Sequence, residues 1–267
     1  VQAAISSPPP RPARTGRFAS SAIAIRWGTI VGLIALWEIT ARLFGDPSFV
    51  APPSKVLAAL VPTIFGDPNV ASAVGMTVVE LVVAFVLSVV VGAAAGIFIG
   101  SSELRRLSLF PIVLLIYGLP MVVLLPLFIL VFGLGPASRI AFGFAHGVLP
   151  IIVTTVAGMR GVNPLQLVSA RSLGASRAQI LRHIIFPNMV ASVFSGLRLA
   201  MSMTLLGVIL AELYVSTNGI GNYTQLFAET FKPASLYALI VTLAVIAIAL
   251  NELVGLAEAH FSRWKQG

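Results

Sequence analysis

The sequence predicts an all-α membrane protein, a polytopic bundle of about six spanning helices. Three observations predict it. Hydrophobic residues make up 58% of the 267 positions and charged residues only 10%, with a mean hydropathy of +1.00. A soluble domain carries about 25% charged residues, so these few charges cannot cover a water-facing surface. Six apolar stretches each approach the roughly 20 residues a spanning helix needs. The basic residues, finally, crowd into alternate loops.

Residues 1–21, VQAAISSPPPRPARTGRFASS, are rich in Pro, Ser and Arg and are expected to form a disordered cytoplasmic tail. The apolar run that follows is long and ends in no small-residue cleavage pattern, unlike a cleaved signal peptide. Residues 22–267 form the transmembrane domain. Its spans are expected at Ile23–Phe44, Val74–Gly100, Leu107–Phe132, Ala137–Met159, Met189–Tyr214 and Leu236–Leu256. The runs are apolar throughout rather than alternating, which argues against a β-barrel. Ala51–Val61 is too short to span and reads as a small helix at the outer surface. Ser216–Pro233 is a polar, Gly-containing outer connection, either a cap on a pathway or a simple loop.

Charge sets the orientation. Arg11, Arg14, Arg17, Arg26, Arg105, Arg106, Arg160, Arg171, Arg177, Arg182, Arg263 and Lys265 belong to the tails and to the second-to-third and fourth-to-fifth loops. Arg42, Lys55, Arg139 and Lys232 fall in the other loops, and Arg198 lies inside a span. With an even number of spans, the positive-inside bias puts both termini in the cytoplasm. The formal charge of +8 is therefore a topological signal, and no nucleic-acid surface is expected.

Several residues inside the spans carry mechanistic weight. Ala84, Ser88, Gly92, Gly96 and Gly100 recur every fourth position and share one face of the second span. Small residues let helix backbones approach closely, either within the subunit or against another copy. The third span contains Pro111, Pro120 and Pro126, with Gly118 beside Pro120. Each proline lacks an N–H, so Pro120 frees the Ile116 carbonyl and Pro126 that of Val122. Gly118–Pro126 reads as a pathway lining or as an ordinary kink. Ionisable groups in the spans are Glu38, Glu80, Arg198 and Glu212. Arg198, placed nearest the bilayer centre, is either an anion-attracting group on the path or a structural partner, with Glu80 as the candidate counter-ion.

The fourth-to-fifth loop reads RGVNPLQLVSARSLGASRAQILRHIIFP, residues Arg160–Pro187. Asn163 is an N-cap residue with Pro164 at the first helical position. Gly174 is placed to end that helix in a left-handed turn. Ser176 and Gln179 form a capping box that opens a second short helix, on which Ile180, Leu181, Ile184 and Ile185 make an apolar stripe. The product is helix, glycine elbow, helix, a rigid projection suited to docking a soluble partner.

This segment resembles the cytoplasmic EAA loop of ABC importer permeases: EAA, three residues, Gly, nine residues, then I-x-L-P. Ala170 takes the last alanine, Gly174 the glycine, Ile184 the isoleucine and Pro187 the proline; Val168 stands where glutamate is usual and Phe186 where leucine is. The resemblance extends over about Pro52–Trp264 and includes GLPMVVLLPLFILVFGLG and SGLRLAMSMTLLGVILAE. It is closest to the nitrate, sulfonate, taurine and bicarbonate importer group. It implies a type I ABC importer permease fold in a bacterial inner membrane, with a small organic or inorganic anion as substrate. It also implies two ATP-binding subunits, a second permease subunit (commonly an identical copy) and an extracytoplasmic solute-binding protein. ATPase coupling then falls to Ala170, Arg171, Ser172, Leu173, Gly174, Ala175, Ile184 and Pro187. Gly118, Pro120, Pro126, Arg198 and Glu212 are the candidate path residues.

The chain has no GxxxxGK[ST], so ATP and Mg are expected to be used by the partner ATPase, with no cofactor on this chain. It has no cysteine, and His146, His183 and His260 are too far apart in sequence for a metal pair. A secondary transporter would need matching halves and intramembrane carboxylates for coupling. A membrane enzyme would need clustered His, Asp, Glu or a nucleophile. No convincing pair of matching halves is present and the intramembrane carboxylates are few, while His146, the one enzyme candidate in the spans, has no evident partner, so the chain is read as a transport subunit and not an enzyme.

Overall fold

The computed structural model describes residues 15–215 and 218–262. The elements, in order, are α1 (Thr15–Leu43), α2 (Pro53–Phe65), α3 (Pro68–Gly100), α4 (Glu103–Tyr117), a 3-10 turn (Met121–Leu124), α5 (Leu125–Phe132) and α6 (Pro136–Arg160). They continue with α7 (Pro164–Ser172), α8 (Arg177–Ile180), a π-helical turn (Leu181–Ile185), α9 (Phe186–Val215), α10 (Ile220–Glu229) and α11 (Pro233–Ser262). Proline opens α2, α3, α6, α7 and α11, where its missing N–H has no intrahelical partner to lose. Asp67 caps α3 by accepting from the Asn69 backbone N–H at 2.9 Å.

Among the described residues, five segments are long and apolar enough to cross a membrane: Ile23–Leu43, Pro68–Gly100, Pro136–Arg160, Ser192–Tyr214 and Pro233–Ala259. The α4–α5 unit makes a sixth if its two halves count together, although they meet at 86°. Packing settles how to count it. A Cβ on Gly92, Gly96 or Gly100 would strike Ile151, Thr155 or Met159 respectively, so α3 and α6 run in the same direction. The chain between them must therefore return to its starting side, and α4–α5 is one broken crossing. Gly143 lies against Thr204 and Val208, and Gly158 against Met189 and Ser192, so α9 runs antiparallel to α6.

The centre of the bundle is this α3–α6–α9 trio. The five small residues on α3 face α6 within the same subunit, with Ala84 and Ser88 fully buried. A methyl group added at Gly96 would stand 2.6 Å from the Thr155 Cβ, closer than any side chain tolerates. In lipid such close backbone approach supplies packing energy that hydrophobic burial cannot. Ile99, Val148, Leu149, Ile152 and Val156 fill the seam towards α4, and Leu125, Phe142 and Ala211 fill it beside α5.

Three expectations are corrected. Residues 15–21, assigned to a disordered tail, are the first turns of α1, and residues 1–14 lie outside the described residues. The third apolar stretch breaks almost at a right angle rather than kinking. The second short helix of the elbow is not separate: α8 runs through the π turn directly into α9. Pro187 explains this last point. It has no N–H for the His183 carbonyl, and its ring collides with that group. The wider turn, closed by the Phe186 N–H on the Leu181 carbonyl, relieves the collision without ending the helix.

Candidate coupling elbow and polar groups in the spans

The elbow forms from the local signals its sequence carries. Asn163 accepts from the Leu165 N–H at 2.9 Å and starts α7. Gly174 sits at φ 79°, and the chain closes there with Ala175 N–H donating to Ala170 C=O and Gly174 N–H to Arg171 C=O, both at 3.0 Å. This is the Schellman pattern, in which a side chain at the left-handed position is strained. The capping box is also present: Ser176 N–H donates to Gln179 Oε1 at 2.8 Å, and Gln179 N–H to Ser176 Oγ at 3.3 Å. Together they fix the angle between α7 and α8.

The elbow projects from the bundle. Leu165 and Leu173 are 69% and 87% exposed, and Arg171, Ser172 and Gly174 are exposed beside them. Ala170, Ala175 and Ile184 are half-buried, while Pro187 is exposed at the start of α9. Leu173, Gly174, Ala175, Gln179, Ile180, His183 and Ile184 line a pocket of about 370 Å3. On the bundle side, Val162, Met159 and Ile180 are buried and anchor the loop. An apolar knob at the tip of a capped, rigid elbow is suited to docking and not to spanning.

Gly118, Pro120 and Pro126 lie at the broken crossing, all three exposed on this chain. The carbonyls that the prolines free are re-engaged locally. Ile116 accepts from Leu119 N–H at 3.1 Å, and Val122 from the Leu125 N–H. The corner thus satisfies its backbone within itself while presenting Leu119, Val122 and Val123 outward.

The ionisable groups are arranged differently from the sequence expectation. Glu80 pairs not with Arg198 but with Arg139, at 2.9 Å, both side chains almost wholly buried. Arg139, counted from the sequence among the outer-loop cations, instead lies in the first turn of α6, which Pro136 opens. Its guanidinium also donates to the Asn218 carbonyl at 2.6 Å and lies 4.0 Å from Glu212. Glu212 is fully buried; it accepts from Thr77 Oγ1 at 2.6 Å and from Gly221 N–H at 2.8 Å. Glu212 is therefore part of a buried joint that ties α3, α6 and α9 to the start of α10, and no open surface reaches it here.

Arg198 lies between α9 and α11, with its side chain about half exposed, and pairs with Glu258. Since Glu258 is near the end of α11, Arg198 sits towards the elbow-side membrane boundary and not at the centre. Arg198, Leu199, Ser202, Asn251, Glu252 and Gly255 line a groove of about 560 Å3. Sequence reasoning misses Glu252 and Glu258 as span residues. The signal for them is Asn251–Glu252 within the sixth apolar stretch, which the surrounding leucines and alanines mask.

A broken crossing, a close-packed trio and a projecting elbow define a polytopic transport bundle. Residues 88–266 match the family described as binding-protein-dependent transport system inner membrane component, and the chain belongs to that family. Among its relatives is the taurine transport system permease protein TauC of Escherichia coli (strain K12), 30% identical over 87% of this chain and 86% of that protein. The putative aliphatic sulfonates transport permease protein SsuC of Bacillus subtilis (strain 168) is 26% identical over 90% and 89%. The nitrate import permease protein NrtB of Synechocystis is 24% identical over 86% of each. The fold is similar to that of a chain of the inward-facing MetNI methionine ABC transporter, with a TM-score of 0.61 at 15% identity, covering 73% of this chain and 95% of that one. This is a permease subunit of an ABC importer, and it lies in the inner membrane.

Proposed function

We propose that this chain forms half of the translocation path of an ATP-driven importer for a small solute with an oxyanion group, and couples that path to a separate ATPase through the elbow. The observation that carries the proposal is the projecting elbow itself, with Leu173 at 87% exposure beside a glycine at φ 79°. The family match and the sulfonate, taurine and nitrate permeases among its relatives support the substrate class. The side carrying the elbow is the cytoplasmic one by the positive-inside bias, which puts both termini there.

The broken crossing supports a path lining. Irregular backbone at membrane depth is tolerated only where protein or water covers it. Gly118, Pro120 and Pro126 are exposed on the single chain, so a second permease subunit or a water-filled path covers them. A second copy of this chain is the natural partner, with two ATP-binding subunits below and a solute-binding protein above. ATP and Mg are used by the ATPase subunits.

The test is uptake by proteoliposomes holding the permease, its ATPase and its binding protein. Accumulation that requires both ATP inside and loaded binding protein outside is expected. Accumulation driven by a proton gradient without ATP overturns the reading.

A further inference from the structure

The helices α3 and α9 meet midway along α6 and part towards the elbow. Gly143 lies against Ala84 and Val208, and Gly147 against Ser88 and Thr204, so both helices reach α6 together there. Nearer the elbow, Gly96 of α3 rests on Thr155, while Gly158 of α6 rests on Met189 and Ser192. A slot of about 190 Å3 opens between the parted helices. Ala93 and Ile97 form its α3 wall, and Phe186, Val190 and Leu197 lie along its α9 wall. Thr155 is on its floor, fully buried, with an Oγ1 that has no hydrogen-bond partner among the described residues. From Phe186 to Leu197 the α9 wall rises about 16 Å, close to the roughly 15 Å of hydrocarbon in one leaflet.

An arginine stands at the elbow-side end of each wall. Ser101 follows Ile97 by one turn, and its Oγ accepts from Arg105 at 2.8 Å. The Arg105 guanidinium lies 4.2 Å over the Phe98 ring and has no carboxylate partner among the described residues. Four of its five N–H donors are left over. Arg182 precedes Phe186 by one turn; it is exposed, outside the pocket of the elbow, and likewise without a carboxylate among the described residues. The carboxylates at this end are engaged elsewhere: Glu103 with Arg106, Glu258 with Arg198, and Glu252 in the separate groove between α9 and α11. A second copy of this chain would bring its own basic elbow side against these arginines, and a polar solute would meet apolar walls. Basic ends on an apolar cleft between membrane helices suit an anionic lipid. We propose that the slot binds one anionic glycerophospholipid of the elbow-side leaflet. Its phosphate takes Arg105 and Arg182, an ester carbonyl accepts from the orphaned Thr155 hydroxyl, and one acyl chain lies in the slot. The proposal concerns the lipid around the subunit and stands apart from substrate and coupling.

Photolabelling tests it in the permease–ATPase complex, held in phosphatidylcholine nanodiscs. A trace of phosphatidylglycerol with a diazirine in its acyl chain is the probe, and phosphatidylcholine with the same chain is its control. Mass spectrometry of peptides reads where each attaches. The phosphatidylglycerol probe is expected to mark residues 93–97 and 186–197 well above the control. Unlabelled phosphatidylglycerol should compete, and excess inorganic phosphate should not. Arg105→Gln and Arg182→Gln should each lower the preference about fivefold, the usual worth of one basic residue at an anionic lipid. Val193→Trp fills the slot and should remove the label from both walls. Co-purification of the ATPase with each variant checks that the complex persists, and the two arginine variants, at the slot's rim, decide the matter if Val193→Trp does not assemble. Equal labelling by the two probes, displacement by inorganic phosphate, or an unchanged preference in both arginine variants overturns the proposal. So do walls that take no label because water or a second copy of the chain fills the slot.

Discussion

Arg139→Met is the substitution whose cost the structure states best. The Arg139 side chain is 3% exposed, and its partners Glu80 and Glu212 are 2% and 0% exposed. It pairs with Glu80 at 2.9 Å, stands 4.0 Å from Glu212 and donates to the Asn218 carbonyl at 2.6 Å. Methionine keeps much of the volume and leaves two buried carboxylates without their shared cation. Removing one member of a buried pair costs about 3–5 kcal/mol. At tenfold per 1.4 kcal/mol, that is roughly two to nearly four decades in the folding equilibrium. Titration of the purified permease–ATPase complex from mild into denaturing detergent measures it, with the midpoint moving to much lower denaturant. Adding Glu80→Gln to Arg139→Met removes one orphaned charge and should recover a measurable part of the loss. A single Arg139→Met variant within about 1 kcal/mol of the parent, the range of surface pairs, refutes the assignment of this cluster as a buried joint.

Other consequences follow from the same geometry. Gly96→Leu puts side-chain atoms where Thr155 already stands, so α3 and α6 must separate; the yield of folded protein on size exclusion should fall severalfold, while Gly28→Leu, which meets nothing within 4 Å, should leave it unchanged. Gly174→Val places a β-branched residue at φ 79°, a strain of about 1–2 kcal/mol or more confined to the elbow. Membrane insertion should survive, while stimulation of ATP hydrolysis by loaded binding protein and solute uptake fall together; normal stimulation would mean the elbow angle is irrelevant. Reporter fusions after Gln266 and within Gly161–Ile180 should signal cytoplasm, and a fusion within Asn218–Glu229 the outer side; an outer signal from Gly161–Ile180 reverses the orientation.

The parts of this architecture written in local sequence are legible without any knowledge of packing. Asn163–Pro164, Gly174 and the Ser176–Gln179 box each act over a few residues, and the structure reproduces their bonds. The small-residue stripe on α3 is legible as a packing face, and the structure settles its partner as α6. What cannot be read depends on how helices face one another. The partner of Glu80 is Arg139, 59 positions away, because α3 and α6 run parallel with their elbow-side ends aligned. Charge count alone offers Arg198 equally well, and Arg198 instead faces α11. The prolines mark where the third crossing yields, but its 86° turn depends on Leu125 packing with Phe142 and Ala211 beside it. Pro187 looks like a helix end and is absorbed by a π turn, a device with no sequence signature of its own.

The central claim is that the elbow is the surface through which this subunit meets its ATPase. A photo-crosslinking residue in place of Leu173, a large hydrophobic of the elbow that is 87% exposed, tests it most directly in membranes containing the whole transporter. Illumination is expected to join the permease to the ATPase subunit, with a yield that changes when ATP is bound or hydrolysed. The same substitution at Leu130, 81% exposed on α5, serves as the lipid-facing or permease-facing control and should not capture the ATPase. Capture of the ATPase from position 130 but not from 173, in a transporter that still moves its solute, contradicts the account.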